Sequence, residues 1–382
     1  MTQTIIQKFK VDFSYPVHFC RDIFNCNNPL LLQTLLSSTS QKSKVIIFVD
    51  DGLAIAQPQL INNINKYFQH YCKQLNLLIQ PQITVGGERQ KNNTESFKQI
   101  LKILKTVNPC RHSFVIAIGG GSMLDSVGLA TSLVHRGLRL VRLPSTVLAQ
   151  NDAGVGVKNG IDLDNYKNFL GTFAPPFAVI NDFDFLHSLP LSYWSGGLAE
   201  AFKVAIIKDS SFFKLLETFA PLLKARDENS IEKVIIKCAQ IHLNHIATNG
   251  DPFEFGSARP LDFGHWAAHK LESLSQYSLN HGQSVAIGIA LDVRYAHYKN
   301  MIGLSECKHI LQTMQNCGLV LNSSFLHKKD KNKKLEILKG LEEFRTHLGG
   351  KLNITLPTSI GSSQEIHQMD FELIAHIINT HF

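Results

Sequence analysis

Three imidazoles and a carboxylate stand out as groups able to do chemistry. Asp262-Phe263-Gly264-His265-Trp266-Ala267-Ala268-His269 is followed downstream by His281-Gly282, and Glu200 lies upstream in Gly197-Leu198-Ala199-Glu200-Ala201-Phe202-Lys203. Two histidines and one carboxylate hold a divalent ion such as zinc and leave a coordination position open for substrate. His265 and His269 are i, i+4 and share a helical face, so geometry alone pairs them as ligands. Spacing therefore leaves three imidazoles competing for the ligand roles. His242, His245 and His297 read as satisfied or surface imidazoles.

A glycine turn, Gly119-Gly120-Gly121-Ser122-Met123-Leu124-Asp125, joins an apolar run to a helical stretch over 122–134. Glycines there let the backbone approach a pyrophosphate, which free N–H groups at a helix start can receive. Asp50 and Asp51, at the end of an earlier strand, are placed to accept from a ribose hydroxyl, although strand-end acids also cap helices. A third segment, residues 144–173, sets Lys158, Lys167 and Asn168 among glycines and few other charges. Such a segment is suited to gathering phosphate or carboxylate oxygens.

The elements that must position these groups follow from apolar patterning. Strands are expected at 44–49, 77–79, 83–85, 113–118, 138–143 and 177–180, with helical stretches between them, as near 95–107. Strand–helix alternation with near-continuous apolar strands indicates a parallel sheet covered on both faces. After Leu189-Pro190 the pattern becomes long and helical, notably over 231–245 and 281–297, before a strand at 351–357 and a last helix at 371–380. The expected fold is α/β: a Rossmann-like nucleotide-binding domain over 1–187, then a mostly α-helical metal- and substrate-binding domain over 188–382.

Composition narrows the function classes. At 382 residues, 44% hydrophobic and 18% charged, the chain can build two proper cores. Its net charge of +7 is concentrated in the run 327–334, which has no interleaved aromatics and so reads as a solvated segment rather than a nucleic-acid surface. Seven cysteines without a CxxC pair point to reduced thiols. No apolar run approaches the ~18 residues that span a bilayer. A cytoplasmic protein with neither nucleic-acid nor membrane partner is expected.

In order along the chain stand Gly87-Glu88 with Lys91, the Gly119–Asp125 turn, Arg136-Gly137, Pro144-Ser145-Thr146, Asp152 with Lys158, Lys167-Asn168, Glu200 with Lys203, Arg259 and the two histidine segments. This series, running from about Gly86 to Gly288, resembles the 3-dehydroquinate synthase family of sugar phosphate cyclases. The resemblance implies NAD and a divalent metal, zinc or cobalt, with the active site between the two domains. By position, Glu200, His265 and His281 would hold the metal, and Glu88, Lys91, Gly120, Gly121, Asp125, Ser145 and Thr146 would contact NAD. Asp152, Lys158, Lys167, Asn168, Lys203, Arg259 and His269 would face a sugar phosphate. The family also implies a homodimer, with Arg136 near the neighbouring active site.

The implied reaction is a transient oxidation, phosphate elimination, re-reduction and aldol closure of a heptulose phosphate to a carbocycle. Two departures stand on the substrate side. Asp262 occupies a position where dehydroquinate-forming members carry Asn, and Asn244 or His245 replaces an expected lysine. Asp262 resembles instead the epi-valiolone synthases, which use heptulose 7-phosphates without a carboxylate. Two further readings are an NAD- and metal-dependent polyol dehydrogenase and a catalytically inactive nucleotide-binding scaffold.

Overall fold

The computed structural model describes residues 2–38, 41–87, 94–163, 166–248, 253, 260–347 and 350–382; Glu88, Lys91 and Arg259 lie outside these ranges. The chain begins with β1 (Val17–Cys20), α1 (Leu30–Leu36), β2 (Ser43–Asp50), α2 (Asp51–Ala56), α3 (Leu60–His70), β3 (Leu75–Leu77) and β4 (Gln82–Thr84). It continues through α4 (Thr94–Val107), β5 (Phe114–Gly119), α5 (Gly121–Leu133) and β6 (Arg139–Pro144) to a hairpin, β7 (Lys158–Leu163) with β8 (Tyr166–Phe173), and then β9 (Ala178–Asp182).

Of these strands, all but the β7–β8 hairpin join one parallel sheet in the order β1-β9-β6-β5-β2-β3, with β4 also on β2. In β2, Val45, Ile47 and Val49 pack under α1 and α3, while Ile46 and Phe48 pack under α4 and α5. Burial on both faces is why these strands read as continuous apolar runs. The carboxyl ends of three adjacent strands bring Asp50, Gly119 and Pro144 to one edge, where open parallel sheets bind ligands.

The helical part comprises α6 (Leu191–Lys208), α7 (Ser210–Lys224), α8 (Glu228–Thr248), α9 (His265–Leu274), α10 (His281–Tyr298), α11 (Leu304–Asn316) and α12 (Lys339–His347). A hairpin, β10 (Ile354–Ser359) with β11 (Ser362–Ile366), and α13 (Phe371–His381) complete it. Its core is separate from the two faces of the sheet and centres on α6 and α10. Among the described residues no helix is long and apolar enough to cross a membrane.

Three features go beyond the sequence expectations. The segment 144–173, where the apolar patterning predicts no element, forms a π-helical turn at Ala149–Ala153 and the β7–β8 hairpin. The strand expected at 351–357 is one arm of a hairpin and begins at Ile354. The short β1 carries no apolar signal of its own, because its four residues are only half-buried.

Candidate active site

Helix crossings bring the metal-type donors together. A Cβ on Gly282 would lie 2.2 Å from the Gly196 carbonyl oxygen, so α6 and α10 touch backbone to backbone, one turn before Glu200 and beside His281. Gly288 meets the Gly264 carbonyl in the same way, at 2.0 Å, and Gly264 has φ +79°. Buried Asp292 accepts from Gly264 N–H and the Trp266 indole, which fixes the start of α9 and its first residue, His265. At the other helix, Asn280 and Gln283 form a capping box that sets His281 in the first turn of α10. We expect Gly282→Ala to cost roughly 1–3 kcal/mol by overpacking, read as a lower urea midpoint. An unchanged midpoint would mean that the crossing tolerates a methyl group.

Glu200, His265 and His281 each offer one donor atom, all within 4.8 Å of one another. His265 Nδ1 lies 3.1 Å from the Phe263 carbonyl, and His281 Nδ1 lies 2.6 Å from Glu272 Oε1. With Nδ1–H donated in each case, both Nε2 lone pairs face Glu200 Oε1, at 3.8 and 3.6 Å. This donor set fits a divalent cation. Burial lowers the pKa of the His265 imidazole, as does Lys203. Burial would lower His281 too, but Glu272 and Glu200 outweigh it and raise its pKa to about 10, so its Nε2 lone pair becomes available only when a cation displaces the proton there.

His269, Glu272 and His281 form a second convergent group. Its carboxylate is already committed, with one oxygen to His281 and the other to Lys167 Nζ at 2.9 Å, which favours the first group as the metal site. His269 packs 5.6 Å from the His265 ring, and burial pushes its pKa down to about 3, so it stays neutral at physiological pH. It joins the cluster without being needed as a ligand.

A charged chain leads from this group toward the sheet. Lys203 is 3% exposed and paired with both Glu200 and Asp152, the latter at 2.7 Å. His242 Nδ1 lies 3.5 Å from the other Asp152 oxygen, in keeping with its reading as a satisfied imidazole. Asp152 sits in the π-helical turn, a form often found at functional sites. Asn151 ties that turn to the Gly197 carbonyl, and Gln150 ties it to the carbonyls of Pro144 and Asp182. The turn thus fastens the carboxyl edge of the sheet to α6.

The hairpin is anchored by Arg142, which is fully buried and donates to the carbonyls of Gly154, Gly156 and Lys158 and to Asn159 Oδ1. Lys158 is exposed, whereas Lys167 points inward to Glu272 and lies 4.9 Å from the Tyr277 ring centroid. Asn168 has φ +51° and donates its N–H to Asp162, leaving an exposed side chain.

At the sheet edge, Gly120 opens α5 without a side-chain cap. Asp50 faces this turn, but its carboxylate already accepts from Leu53 N–H and from the backbone of Gly52 and Gly120, the capping role of a strand-end acid. Burial raises its pKa. Ser145 donates its N–H to the Gly119 carbonyl, and Thr146 Oγ1 accepts from Ala149. Half-buried Asp125 lies one turn into α5 and acts electrostatically on Arg142. Arg136 stands exposed on a turn with φ +64°. Half-buried Asp262 precedes α9, and its charge favours the protonated form of His265. Asn244 is exposed, while His245 is buried against Lys208.

The sequence reading overlooked Glu272, which is 1% exposed. It follows His269 by three positions and His265 by seven, so its helical spacing placed it on the ligand face.

Two family profiles match the chain, one described as 3-dehydroquinate synthase N-terminal over residues 82–195 and one as 3-dehydroquinate synthase C-terminal over 197–341. The 3-dehydroquinate synthase of Aliivibrio fischeri (strain MJ11) is 31% identical over 96% of both chains. That of Alkaliphilus metalliredigens (strain QYMF) is 30% identical over 88% of this chain and 90% of its own. Among solved structures, the 2-epi-5-epi-valiolone synthase ValA from Streptomyces hygroscopicus subsp. jinggangensis 5008, with NAD+ and Zn2+ bound, superposes with a TM-score of 0.85 at 25% identity over 98% of each chain. With residues 82–195 and 197–341 matched by the two profiles and its donor cluster assembled between α6, α9 and α10, this chain belongs to the 3-dehydroquinate synthase family.

Proposed function

We propose that the protein is an NAD- and divalent-metal-dependent sugar phosphate cyclase that converts a heptulose phosphate into a carbocycle with loss of inorganic phosphate. The convergence of two imidazole Nε2 atoms on Glu200, with Lys203 and Asp152 behind it, carries this reading. Zinc or cobalt supplies Lewis acidity toward a substrate hydroxyl, and NAD supplies a hydride acceptor that returns the hydride later.

In this reading the chain's own groups do the rest. Glu200, His265 and His281 hold the ion. Gly120, Gly121, Ser145 and Thr146 meet the dinucleotide at the sheet edge, joined by Asp125 and, outside the described residues, by Glu88 and Lys91. Lys158, Lys167, Asn168 and Lys203 present positive charge and donors where phosphate departs and enolate charge develops. Neutral His269 can hold a proton next to the leaving phosphate. The sequence is oxidation of a carbinol, loss of the neighbouring proton, departure of phosphate, return of the hydride, and ring opening followed by aldol closure. It leaves no net redox change, so NAD is catalytic in amount.

The 3-dehydroquinate synthase relatives and Arg259 favour a 3-deoxy heptulosonic acid phosphate as substrate. Asp262 favours a second reading, a heptulose 7-phosphate without a carboxylate, because an acid at this point repels a second anion. We further propose a division near residue 187, a cytoplasmic setting and a homodimer that uses Arg136. Exposed Ile5, Ile6, Phe9, Phe169 and Leu170 support a second copy as partner.

The test incubates the metal-loaded enzyme with each phosphate and substoichiometric NAD, and follows phosphate release. Multiple turnovers per NAD are expected with one of the two substrates, and the responding substrate decides between them. NADH accumulating without phosphate would replace the cyclase with a polyol dehydrogenase.

A further inference from the structure

We infer that Glu272 is a positioning residue that holds the metal ligand His281 in its working orientation and ties it to Lys167 on the β7–β8 hairpin. The inference rests on the proposed metal site of Glu200, His265 and His281.

Three observations carry it. Glu272 is 1% exposed, so its carboxylate has exchanged water for protein partners on both oxygens. Oε1 receives His281 Nδ1–H at 2.6 Å, which leaves Nε2 as the lone pair facing Glu200, 3.6 Å away. Oε2 receives Lys167 Nζ at 2.9 Å, and Lys167 is steadied by Asp162 at 3.5 Å and by the Tyr277 ring. A carboxylate behind a ligating imidazole fixes its tautomer and ring angle and raises its basicity as a ligand. Here the same carboxylate also anchors a lysine from the other half of the molecule. Ion binding at His281 and ordering of the hairpin therefore share one side chain, and a coupling between them acts equally in both directions.

The experiment uses zinc alone, titrated into metal-free protein against a chromophoric chelator, with the hydrogen exchange of residues 158–173 followed in parallel. We compare wild type, Glu272→Ala, Glu272→Gln and Glu200→Ala, each checked for folding by circular dichroism. Glu272→Gln keeps the volume and an acceptor but loses the charge, so it serves if Glu272→Ala does not fold. Expected is a 10–100-fold weaker zinc affinity in the Glu272 variants. Zinc should slow exchange in the wild-type hairpin and fail to do so in either variant. Affinities within twofold of wild type, beside a large loss in Glu200→Ala, would overturn the positioning role while sparing the metal site. A loss in Glu272→Ala as deep as that in Glu200→Ala would also overturn it, by making Glu272 a direct ligand. Equal zinc binding by wild type and Glu200→Ala would mean that the metal reading itself fails.

Discussion

Glu200→Ala should purify without its metal and release phosphate at least about 1000-fold more slowly than wild type. That factor equals about 4 kcal/mol, the scale of charge stabilisation a Lewis acid supplies in the transition state. The residue is 2% exposed and is the only carboxylate toward which both imidazole Nε2 atoms turn among the described residues. Its loss removes the negative ligand and leaves two neutral nitrogens, too few to keep zinc against water. The fold should survive, because Lys203 keeps Asp152 at 2.7 Å and so is not stranded as a lone buried charge. Glu200→Gln, which retains an oxygen donor without the charge, should fall between the two. Metal analysis of the purified variants, together with kcat/KM for phosphate release, checks this. Wild-type metal content in Glu200→Ala would remove the residue from the site.

The sheet is legible in the sequence because β2, β5 and β6 are buried on both faces, and such strands are written as unbroken apolar runs. The glycine turn is legible because strand, glycines and helix follow one another locally. The β7–β8 hairpin is not, since its order comes from Arg142, a residue of β6 whose guanidinium reaches four acceptors along 154–159. No local pattern encodes such a contact. Glu272 illustrates the same limit within the site. Helical spacing put it on the ligand face, yet only the folded chain brings Lys167 from the hairpin to its second oxygen. His242 likewise meets an acidic neighbour only when the π-helical turn delivers Asp152 to it. Residue types and order thus named the donors, while the buried groups that orient them were set by tertiary contact.

Lys203→Met tests the buried cation shared by Glu200 and Asp152, and its expected effect on stability is the larger of the two. Lys203 is 3% exposed between Asp152 and Glu200, and the methionine leaves two carboxylates without the ammonium that both of them share. Breaking a buried pair in this way costs about 3–5 kcal/mol. The pH dependence has a definite sign. In the wild type, burial raises the Glu200 pKa, but Lys203 and then His281 and His265 outweigh it and hold the carboxyl well below its ordinary value. A depressed carboxyl stabilises the folded state above its unfolded pKa, and that contribution is lost only as pH falls through the folded value. Without Lys203 the opposing cations are fewer and the carboxyl titrates higher, so acid relieves the variant before it harms the wild type. The gap in unfolding free energy, measured with urea on chelator-treated proteins, should therefore be widest near about pH 7.5 and should narrow toward about pH 5. A gap that stays constant across that interval would show that the loss comes from packing of the lysine stem rather than from its charge.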